Sequence, residues 1–93
     1  MDKYSKVLIN NASKLDAVTN SSGSIIKLAN TIIVDHSRQS TIGLLQKLSN
    51  IIENPNIQVE IKQIAKVVHS NLLMYFGYIS IDELCKESND SVD

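Results

Sequence analysis

Residues 54–79 read NPNIQVEIKQIAKVVHSNLLMYFGYI, and the spacing inside this stretch decides the fold class. Ile57, Ile61, Ile64, Ala65, Val68, Leu72, Tyr75, Phe76 and Ile79 recur at steps of three and four. That rhythm keeps them on one side of a 3.6-residue helix, whereas a strand would need alternation. The spacing predicts a single helix of roughly six turns. At its head, Asn54-Pro55 reads as an N-cap followed by Pro in the first helical position, where a missing N–H costs nothing. Ile61, Ile64, Val68, Leu72 and Phe76 are the expected centre of the core.

Working outward, the same rhythm recurs in shorter pieces. Tyr4, Val7, Leu8, Asn11, Ala12, Leu15 and Val18 mark a first helix over residues 3–19, ended by Asn20-Ser-Ser-Gly23. Ile25, Leu28, Ala29 and Ile32 mark a second, with Ser22 or Ser24 as its cap. Its β-branched run TIIV at 31–34 fits a strand as well, but the 3-4 spacing across the whole segment favours helix. Asp35 to Ser40 reads as a polar connector. Ile42, Leu45, Leu48 and Ile52 mark a third helix over about 41–53, capped by Ser40 or Thr41. Beyond the long helix, Ser80-Ile-Asp-Glu83 matches the capping box and predicts a short fifth helix over 81–88, with Ile81, Leu84 and Cys85 turned inward. The expected architecture is therefore all-α: an antiparallel four-helix bundle with a short fifth C-terminal helix. Residues 1–88 form one helical domain and 89–93 a frayed acidic tail.

Composition excludes several function classes. With 93 residues, 43% apolar content and 20% charge, the chain suits one modest core and not wholesale disorder. One cysteine, Cys85, rules out an intrachain disulfide. No secretory leader opens the sequence and no apolar run reaches membrane-spanning length, so a cytoplasmic location is expected. Residues 1–81 hold eight of the nine basic groups and five of the ten acidic ones, while residues 82–93 carry Asp82, Glu83, Glu87, Asp90 and Asp93 against Lys86. The lysines are scattered, with one arginine and no aromatic-basic interleaving, which argues against nucleic acid.

Chemistry finds little to work with. Asp35-His36 is the one adjacent acid–histidine pair, and neighbours in sequence rarely face each other. His69 falls at the border of a helix stripe. His36, His69 and Cys85 match no zinc spacing, and the three glycines stand apart rather than in a phosphate loop. The reading is no catalytic site, no metal and no cofactor.

What exceeds the needs of a core is apolar surplus on the third and fourth helices. Leu44, Ile51, Val67, Leu73 and Met74 lie off the main stripes and form the candidate protein-binding surface. Three destinations are open to them: burial inside the bundle, a self-association face giving a homodimer, or a groove for a partner's amphipathic helix. The expected function is a non-catalytic regulatory or adaptor module that binds another protein. In size and helical layout the whole chain also resembles the small bundle proteins that confer immunity to bacteriocins. That resemblance implies an inhibitor with specificity in its C-terminal segment. The chain departs from that family in its slightly acidic charge, where those proteins are commonly basic.

Overall fold

The computed structural model describes the backbone of residues 2–92 and the side chains of residues 2–81. Four helices follow one another: α1 (Lys3–Thr19), α2 (Ser24–Asp35), α3 (Arg38–Glu53) and α4 (Val59–Val92). Each packs on its neighbours in the order α1–α2–α3–α4 and α4 closes back on α1. Contacts fix the directions. Tyr4 meets Tyr78 and Asn11 meets Asn71, so α1 and α4 run antiparallel. The short turn at residues 20–23 folds α2 back on α1, so α2 runs with α4, and Ile33 near its end sits beside Tyr75. The result is an up-and-down bundle joined by short turns.

The core is the set of facing stripes. Leu8, Ala12 and Leu15 come from α1; Ile25, Ala29 and Ile32 from α2; Leu44 and Leu48 from α3; Ala65, Val68, Leu72 and Tyr75 from α4. The stripe of α4 is rotated slightly from the expected one. Ala65 and Tyr75 are fully enclosed, while Ile61, Ile64 and Phe76 are only partly buried. The TIIV run is helical, as its spacing implied.

The fifth helix does not exist. α4 continues through Ser80–Glu83 without a break. A capping box works only where the chain before it leaves the helix, because the capping residue needs extended backbone angles. Nothing forces that departure here. Gly77 costs a helix interior roughly 1 kcal/mol, and no proline follows to block the hydrogen-bond ladder. Ser80 and Glu83 are simply one turn apart on a continuous helix. The expected inward packing of Leu84 and Cys85 falls outside the described side chains. Of the tail expected to fray, the backbone of residues 89–92 belongs to α4, and residue 93 lies outside the described residues.

The head of α4 also moves, from Pro55 to Val59. Pro55 disfavours helical angles in the residue before it, and Asn54 is accordingly extended (φ −77°, ψ 116°) as the last residue of the α3 cap. Its side chain accepts the Asn56 N–H at 2.9 Å, a bond an N-cap would also make. The Ile57 N–H, however, closes a single turn on the Asn54 carbonyl at 3.3 Å, and the helical ladder begins only where the Lys62 N–H reaches the Gln58 carbonyl at 3.2 Å. At α3 the start lies earlier than expected. Ser37 caps it, its Oγ accepting the Ser40 N–H at 3.1 Å, so the polar connector shrinks to His36-Ser37.

The start of α2 is built from elsewhere in the chain. Gly23 occupies the cap position at φ 84°, a conformation that suits glycine, and has no side chain to cap with. The acceptor is Asp16 of α1. Its Oδ1 takes the Gly23 N–H at 2.8 Å, and its Oδ2 takes those of Ile25 and Ile26 at 2.9 and 3.0 Å. Burial pushes the Asp16 carboxyl up, but these three donors and the charge of Lys47 outweigh it and hold it below the usual carboxylate range. Asp16 is 5% exposed, and its carboxylate ties the first two helices together across the turn between them.

Candidate protein-binding face

The surface where α1 meets α4 is built by two lines of residues. On α4, Val67, Met74 and Ile81 are seven residues apart, which keeps them nearly in line on a helix, since two turns take 7.2 residues. Tyr78 lies between Met74 and Ile81 on the α1 side of that line. On α1, Tyr4, Val7, Asn11, Lys14 and Val18 climb at steps of three and four.

Two contacts zip the lines together. The Tyr4 and Tyr78 rings stack with centroids 4.9 Å apart at 24°, an offset arrangement favourable for aromatic pairs. Below them, Asn11 Nδ2 donates to Asn71 Oδ1 at 2.6 Å and to the Val7 carbonyl at 3.2 Å. Between these contacts lies a notch of about 90 Å³ lined by Lys3, Tyr4, Val7, Asn71 and Met74. Ligand cavities usually exceed roughly 300 Å³. The notch therefore suits one inserted side chain rather than a cofactor.

The predicted surface residues divide. Leu44 is fully enclosed in the core and leaves the surface altogether. Ile51 is partly buried against that core from α3. Val67 and Met74 are 45% and 55% exposed and lie in line, two turns apart, on the α1–α4 face. Leu73 is 58% exposed but turned about 100° from Met74, in line with Lys66 on the outer side of α4. The structure adds Tyr4, Val7, Tyr78 and Ile81 to the pair that remains. The seven-residue spacing of Val67, Met74 and Ile81 is visible in the sequence, but only once the helix is taken straight through Gly77. Val34 and Ile42 are exposed elsewhere, as scattered single apolar residues commonly are.

The titratable groups form no reactive constellation among the described residues. His36 ends α2 in a left-handed conformation and meets the Tyr75 ring edge-on at 6.2 Å. Asp35 belongs to α2 itself. Tyr75 donates to the Ile33 carbonyl at 3.4 Å. Burial, then the nearby Asp2 charge and Tyr78, push its phenol above the ordinary range, so it stays neutral. Asp2 accepts the Ser5 N–H and hydroxyl at 2.8 and 2.7 Å, and these bonds hold its carboxyl below its usual range. No three metal-binding side chains converge among the described residues, and no described helix is long and apolar enough to cross a membrane. Compared with known protein families, with curated proteins and with solved structures, the chain matches none.

Proposed function

We propose that this chain is a non-catalytic protein-binding module whose working surface is the α1–α4 face. One observation carries the reading. Val67, Met74, Tyr78 and Ile81 of α4 and Val7 of α1 are all exposed along this face, with the half-buried Tyr4 stacked on Tyr78, and none of the described side chains covers them. Exposed apolar residues are ordinary when scattered, but a contiguous strip bordered by polar groups is the usual mark of a binding surface. The partner it suits is an amphipathic helix laid along α4, with an apolar side chain seated in the notch beside Met74. A second copy of the chain and an unrelated protein both meet that description.

The test is photo-crosslinking inside the producing cell. A photoreactive residue replaces Met74 in one variant and Ser49, an exposed position of α3, in another. The binding reading expects discrete covalent adducts from position 74 and few from position 49. Equal, diffuse labelling at both positions overturns it. The immunity-type reading assigns specificity to residues 80–93, and no observation on the described residues favours it over this one.

A further inference from the structure

We draw no further inference here: the strongest candidate, the exposed apolar face of α4 around Met74 where it meets α1, belongs to the site already described, and nothing in the structure shows what covers it.

Discussion

Replacing Asp16 by alanine removes the acceptor of three backbone donors at one stroke, and the cost can be worked from the geometry. The Gly23 and Ile26 N–H groups are partly exposed and recover water, so their loss resembles that of an ordinary N-cap, about 1–2 kcal/mol. The Ile25 N–H is buried, and an unsatisfied buried donor adds about 1–3 kcal/mol. Together these come to about 3 kcal/mol. For a domain of this size that is a drop of roughly 12–24 °C in Tm. Asp16→Asn retains one acceptor oxygen and should lose about half as much. Urea unfolding followed by far-UV circular dichroism measures both. If Asp16→Ala stays within about 0.5 kcal/mol of the parent, the carboxylate is not what organises the start of α2.

The same group sets an acid response. Its folded pKa lies below the model value of 3.8, so the unfolded chain takes up the proton first as pH falls. The stabilisation is complete well above 3.8, begins to fade near about pH 5, and is gone once pH has passed below the depressed folded value. Asp16→Asn has no proton to bind, so its stability should fall less steeply over that window than the parent's. Parallel curves would refute the linkage.

Three further outcomes follow from the helices. Val68→Asp buries an unpaired charge in the enclosed centre of α4 and should abolish cooperative unfolding; a parent-like melt would remove Val68 from the core. Gly77→Ala should stabilise by about 1 kcal/mol, since a Cβ there meets nothing within 4 Å and alanine is the better helix former; a lower denaturation midpoint would contradict a continuous α4. Ser80→Ala should change stability by no more than about 0.5 kcal/mol, because Ser80 lies inside a helix and caps nothing; a loss of about 1 kcal/mol would restore a helix start at that position.

Much of the bundle was readable because apolar periodicity is a local property. The span of α1, the helical state of TIIV, and Val68 and Leu72 as core all follow from spacing alone. Helix boundaries were harder, since several nearby residues offer the same chemistry. Ser37, Ser40 and Thr41 are all competent caps, and the chain used the earliest. Asn54-Pro55 allows either a cap or a turn, and the Ile57 N–H closing on the Asn54 carbonyl makes it a single turn. Ser80–Glu83 is compatible with a helix start and with a helix interior, and no breaker separated the two.

The candidate face was half legible for a different reason. Surplus apolar residues can be counted from sequence, but their exposure depends on how each helix is rotated against its neighbours. Leu44 and Met74 look alike in that count. One faces the bundle axis and the other faces away. Tyr4 and Tyr78 are 74 positions apart, and no local pattern announces their stacking.

By itself the sequence determined that this is a chain of amphipathic helices joined by short turns, because propensity and 3-4 spacing act over a few residues. Tertiary structure alone decided which carboxylate caps α2, how far each stripe is rotated, and which apolar residues stay uncovered. Those outcomes depend on partners distant in the chain, brought together only when the four stripes share one core.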